Sequence, residues 1–224
     1  MTPKIVEIVY QLIAFMFAIS VHESAHAWTA SRCGDPTARM LGRISLNPIR
    51  HIDPIGTVVL PLVAAISGVP VLGWAKPTPV DPRNFRRPVM DDILTSVAGP
   101  VSNFIVATGA LLVLGGISLS SPGGHNIVIG LLQGVMGDST LVPVVKLLFE
   151  LMIINIVLAV FNLIPVPPLD GSHVLRHFLS DTVRMVYDRI GIFGLIALVY
   201  LGGGLISSLI RPFIYFYIAL LVKF

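Results

Sequence analysis

Val21-His22-Glu23-Ser24-Ala25-His26-Ala27 sets two imidazoles and a carboxylate at the end of an apolar run that extends from about Ile5 to Ala30. In a helix, side chains four apart share a face, so His22 and His26 aim at one spot while Glu23 flanks them. The pattern H-E-x-x-H supplies two neutral nitrogen ligands for zinc. Its carboxylate does not bind the metal but takes a proton from water. The surrounding run contains no proline and is long enough to cross a bilayer of roughly 30 Å. A charged residue in such a span costs at least about 2.5 kcal/mol on insertion scales, so chance retention of Glu23 is a poor explanation.

The rest of the chain has the same character. Its 224 residues are 54% hydrophobic and 12% charged, with a mean hydropathy of +0.86, whereas a soluble domain carries roughly 25% charged residues. The composition predicts an all-α polytopic membrane protein, one domain over 1–224, built as a helical bundle of about 4–6 membrane segments in a lipid bilayer. The net charge of +3 does not mark a nucleic-acid partner, because the basic residues lie between apolar stretches rather than in one patch. The single cysteine, Cys33, excludes an intrachain disulfide framework. Lys4, the apolar run and Ala25-His26-Ala27 superficially match a signal peptide. Glu7 interrupts that match, the run exceeds what a signal needs, and cleavage would discard the metal motif.

Outward from the motif, Ser31 to Pro54 holds Arg32, Arg39, Arg43 and Arg50 among turn formers, which makes it cytoplasmic by the positive-inside rule. Ile55 to Trp74 is apolar but broken by Pro61, Gly68 and Pro70, and is again followed by basic residues. With both flanks cytoplasmic, a re-entrant hairpin is favoured over a full span. Gly73 to Val80 reads as extended, either a short β-strand near the site or a proline-stiffened loop. Pro77 and Pro79, two apart, lack donors on one edge. In the strand reading, Trp74, Ala75, Lys76 and Pro77 take an unwound substrate by strand addition.

Ile93 to Leu119 is a clear span. Ser120 to Thr140 has no Lys or Arg and belongs on the opposite side. A further span, about Leu141 to Ile164, runs into a proline-rich turn that leaves Asp170 on irregular backbone at the cytoplasmic end. Ile190 to Phe224, interrupted by Gly202-Gly203-Gly204 and Arg211-Pro212, reads equally as one kinked helix or a hairpin. This topology brings Asp170 to the membrane depth of His22 and His26, giving three ligands and an open position, as a catalytic zinc requires. Asn103 and Asn155 are expected to bond between helices. His51 is expected to stabilise its loop, and His125 to be solvated.

His22-Glu23-Ser24-Ala25-His26, with Asn162-Leu163-Ile164-Pro165-Val166-Pro167-Pro168-Leu169-Asp170-Gly171, resembles the site-two family of intramembrane zinc metalloproteases. Ala98-Gly99-Pro100 with Asn103, and Gly73-Trp74-Ala75-Lys76-Pro77, resemble segments of compact bacterial and archaeal members without a PDZ or CBS domain. The resemblance implies one Zn2+ per chain held by His22, His26 and Asp170. It also implies Glu23 as the catalytic base, and a substrate-binding or oxyanion role for Asn162, whose placement equally suits an interhelical hydrogen bond. The implied substrate is a transmembrane protein cut near the cytoplasmic face of a prokaryotic cell membrane by a multi-pass enzyme. Oligomeric state is not legible.

Two other functions fit part of the pattern. A metal or ion transporter could use the buried His and Asp residues, but should show internal repeats and paired broken helices, and none is visible. A non-haem iron site also takes two histidines and a carboxylate, yet has no need of Glu23. A second metal site at Asp170, His173 and His177 has no adjacent base.

Overall fold

A computed structural model describes residues 3–59, 76–135 and 137–224. It is helical throughout its regular parts, as the composition predicts. The helices are α1 (Pro3–Cys33), α2 (Thr37–Met40), α3 (Pro88–Ser120), α4 (Pro122–Gln133), α5 (Val142–Asn162), α6 (Asp170–Arg176), α7 (Asp181–Leu201) and α8 (Gly203–Leu221). Among the described residues, α1, α3, α5 and α8 are long and apolar enough to cross a membrane. Trp28, exposed near the end of α1, carries the Arg32 guanidinium 5.2 Å from its ring centroid, a pairing suited to the interfacial zone.

Two compact units are present, Ile19–Gly99 and Met1–Ala18 with Pro100–Phe224. The second is packed around Ala107, Leu111, Leu114, Met152, Ile156, Tyr217 and Leu221. Asn103 and Asn155 are fully buried in it. The Asn103 side-chain amide donates to Asn155 Oδ1 (2.7 Å) and to the Ala18 carbonyl (3.2 Å), the interhelical bonding expected of them.

The first unit is tied by polar contacts. Its helix α3 begins at Pro88, five residues before the apolar run does, because the Asp91 carboxylate accepts the Arg87 N–H (2.8 Å) and caps the helix. His51 is buried and its Nε2 donates to the Ser45 carbonyl (2.7 Å), so it does stabilise its loop.

Several expectations are corrected. The stretch 120–140 is not simply a loop: Ser121 accepts the Gly124 N–H (3.0 Å) and starts α4, a short helix whose uncharged sequence gave no periodic signal. Asp170 is not on irregular backbone but opens α6, where a carboxylate meets the positive end of the helix. The segment after Ile190, left open between one kinked helix and a hairpin, is broken twice. Gly191, at φ 48° and ψ −137°, breaks α7 in a conformation that side-chain-bearing residues avoid, and a second break at Gly202 precedes α8, which carries Pro212 within it. No β-strand occurs among the described residues. Lys76 and Pro77 lie in irregular chain, while Trp74, Ala75 and the rest of 60–75 fall outside the described residues, as does most of the expected hairpin.

Candidate metal centre and its base

Within the unit Ile19–Gly99, one turn of α1 carries the three motif residues. His22 and His26 are buried and Glu23 is half-buried. The i,i+4 spacing brings the two imidazoles edge to face, with Nε2 of one 3.0 Å from Nε2 of the other. Two nitrogens that each lie about 2.0–2.1 Å from one tetrahedral zinc are roughly 3.3 Å apart, so this pair already has nearly the spacing the ion needs.

The tautomer is set from α3. His26 Nδ1 lies 2.7 Å from the Thr95 carbonyl oxygen, which can only accept, so Nδ1 carries the proton and Nε2 presents a lone pair. The helix that supplies this carbonyl comes very close to the imidazoles. A Cβ at Gly99 would overlap His26 Nε2 and lie 2.6–2.7 Å from His22 Cε1 and Nε2, so only glycine fits there. Paired imidazole nitrogens, a fixed tautomer and a cradle without a side chain fit a zinc ion.

Glu23 is held from yet another segment. Thr78 donates its backbone N–H (2.9 Å) and its hydroxyl (2.6 Å) to the same carboxylate oxygen, Oε2. Ser24 bonds the Ser45 backbone, fixing the loop after α2 to the same turn of α1.

Beyond α1, the chain is gathered at Asp35. Its carboxylate accepts from the Thr37 N–H and hydroxyl, the Asp81 N–H (2.8 Å) and the Asn84 amide (2.9 Å). Burial alone would raise the Asp35 pKa, but these hydrogen bonds outweigh it and hold the group below its ordinary value. Nearby, the Arg83 side chain and N–H hold Asp81 down to about 2.

Asp170 and Asn162 belong to the other unit. Asp170 is half-buried at the first position of α6. Asn162 ends α5 half-buried, and its amide donates to the Leu158 carbonyl (3.0 Å) within the same helix. The structure thus brings His22, Glu23 and His26 together on one turn of α1. Thr95, Gly99 and Thr78 were not anticipated as their neighbours.

The family model for peptidase family M50 matches residues 10–201. The chain belongs to peptidase family M50. That is the site-two protease family its motifs resemble. Among M50 relatives, "Putative zinc metalloprotease YwhC" of Bacillus subtilis is 35% identical over 86% of this chain and 79% of its own. "Putative zinc metalloprotease Rip2" of Mycolicibacterium smegmatis is 26% identical over 77% of this chain and 59% of its own. A Rip2 of Mycobacterium tuberculosis is 28% identical over the same shares. No solved structure matches. Membership of M50 and the names of these relatives support a zinc metalloprotease, and the four apolar helices a multi-pass membrane protein.

Proposed function

We propose that this M50 member is an intramembrane zinc endopeptidase that cuts transmembrane proteins near the cytoplasmic face. The observation that carries the reading is the pair of buried imidazole nitrogens 3.0 Å apart beside a half-buried glutamate on one helical turn. His22 and His26 would hold one zinc ion, with Asp170, an acidic residue at the start of α6, as the third ligand. Zinc bound there supplies Lewis acidity, polarising the scissile carbonyl and making water acidic enough to react near neutral pH.

The protein's own groups do the rest. Glu23 takes the proton from the attacking water and returns it to the leaving amide nitrogen, so no net proton is gained or lost at the carboxylate. Asn162 has a second amide N–H beyond the one given to Leu158, and this donates to the oxygen on which charge develops. The arginines at the end of α1 and beyond it, at 32, 39, 43 and 50, support a cytoplasmic position for this end of the helix. A helical substrate must unwind before attack, because its carbonyls are otherwise engaged in i to i−4 hydrogen bonds.

Glu23→Gln separates the roles. The variant should keep zinc at the wild-type ratio in purified protein while its cleavage of a transmembrane substrate in proteoliposomes falls by at least about 10²–10⁴-fold. Retained cleavage would overturn Glu23 as the general base, and a wild type that holds zinc but cleaves no transmembrane substrate would sink the protease reading. Lost zinc would show that Glu23 is a ligand instead.

A further inference from the structure

Between two prolines, Thr78 is the one residue of 77–79 with a backbone N–H to give. Proline at 79 also disfavours helical backbone at Thr78, which keeps that N–H pointing out of an extended chain. Both of the donors at Thr78 are spent on Glu23. The hydroxyl lies 2.6 Å from Oε2 and 3.0 Å from the Glu23 carbonyl; having one proton, it serves the nearer oxygen.

The chain that carries Thr78 is anchored on both sides. Before it, the Lys76 N–H donates to the His51 carbonyl (2.9 Å), and His51 is itself locked onto Ser45. After it, the Asp81 N–H donates to Asp35 Oδ2 (2.8 Å) in the cluster that closes the turn beyond α1. Residues 76–81 thus form a strap across one turn of α1, and Thr78 is the part of it that meets Glu23.

We infer that Thr78 is a positioning residue for the general base. A glutamate side chain has three rotatable bonds, and an unrestrained one loses up to about 2 kcal/mol of rotamer entropy when it must adopt a single reactive pose. Two donors on Oε2 fix the carboxylate plane in advance. Oε1 has no hydrogen-bond partner among the described residues, so it is the oxygen that accepts the proton of the attacking water. The strap also revises the strand-addition idea for this stretch. The donor at Thr78, on the edge opposite that of Pro77 and Pro79, is already committed to the base, so a substrate strand cannot pair with it without releasing Glu23.

This inference rests on Glu23 being the base, and the test keeps the two apart. Full-length Thr78→Val, Thr78→Ser and Glu23→Gln are compared with wild type, using a fluorogenic transmembrane peptide that wild type cleaves. Zinc content, thermal unfolding, kcat and KM are measured. Thr78→Val should lower kcat by about 10–100-fold, with KM within about twofold and zinc content unchanged. Thr78→Ser, which keeps both donors, should restore kcat to within about threefold of wild type. An infrared difference spectrum between each protein and its Glu23→Gln counterpart reads the Glu23 carboxylate directly. Its stretching bands should match wild type in Thr78→Ser and move in Thr78→Val. Unchanged kcat in Thr78→Val, or a loss that only tracks zinc or folding, overturns the positioning role. If Thr78→Val does not fold, the serine variant decides: wild-type bands and rate uphold the role, and altered bands or a slow rate overturn it. Cleavage by Glu23→Gln would instead overturn the base assignment itself, whatever Thr78 does.

Discussion

The two units are held together by different physics. In the unit that carries Leu114, Met152 and Ile156, apolar side chains fill the interior and the main polar insertion is the Asn103–Asn155 pair. In Ile19–Gly99 the buried positions include His22, His26, Asp35, His51, Asp91 and Asp92, and segments far apart in sequence are joined by hydrogen bonds. Apolar packing is tolerant of substitution, because dispersion and hydrophobic contacts have little direction. Hydrogen bonds onto ring nitrogens and carboxylates fix angles as well as distances. In a membrane protein, where polar burial is costly, the unit that spends it is the one that holds the H-E-x-x-H side chains in fixed positions.

The contrast can be broken at several points. Gly99→Ala should have the largest effect, since the new methyl would occupy the space of the imidazole nitrogens. Zinc affinity should fall at least about 10–100-fold and cleavage with it, while α-helical content stays at the wild-type level. Metal analysis and circular dichroism on one preparation check this, and wild-type zinc binding would show that α3 moves aside freely. Met152→Ala, in the apolar unit, should act in the opposite sense. It should lower unfolding stability by about 2–5 kcal/mol, read by denaturant titration, while the folded enzyme keeps its zinc and its kcat.

Acid should give the smallest effect. The Asp35 pKa is depressed in the folded protein, so its stabilisation is complete above the unfolded value of about 3.9. It is lost as pH falls through the lower folded value. Amide exchange in 76–87 should therefore rise below about pH 4 before that of α5 does. Asp35→Asn should raise exchange there already at neutral pH and remove most of this dependence. Asp35→Asn with an unchanged acid response would assign the effect elsewhere, Asp81 being the neighbouring candidate.

Much of the molecule was legible beforehand, and the reasons are local. Spans α1, α3 and α5 follow from apolar length, and the His22–Glu23–His26 turn follows from helical periodicity over five residues. The C-terminal third was less readable. Gly191 and Gly202 both break helices there, but a sequence full of glycines does not say which of them adopts non-helical backbone. Helix α4 was missed because an uncharged, glycine-containing stretch carries no amphipathic signal. Thr78 lay inside a segment already singled out, yet the strand reading assigned its free edge to a substrate, because nothing in the proline spacing names Glu23 as the acceptor.

By itself, the sequence determined that the chain is an all-helical membrane protein and that one turn of α1 carries two zinc-type nitrogens and a carboxylate, since both depend on neighbours along the chain. Only the tertiary structure decided how those groups are held. The Thr95 carbonyl that sets the His26 tautomer comes from 69 residues away, and the Thr78 donors that hold Glu23 from 55. The missing side chain at Gly99 admits α3 to the imidazoles. Such contacts depend on how the chain folds back on itself, and a backbone carbonyl or an absent Cβ leaves no periodic mark in the sequence.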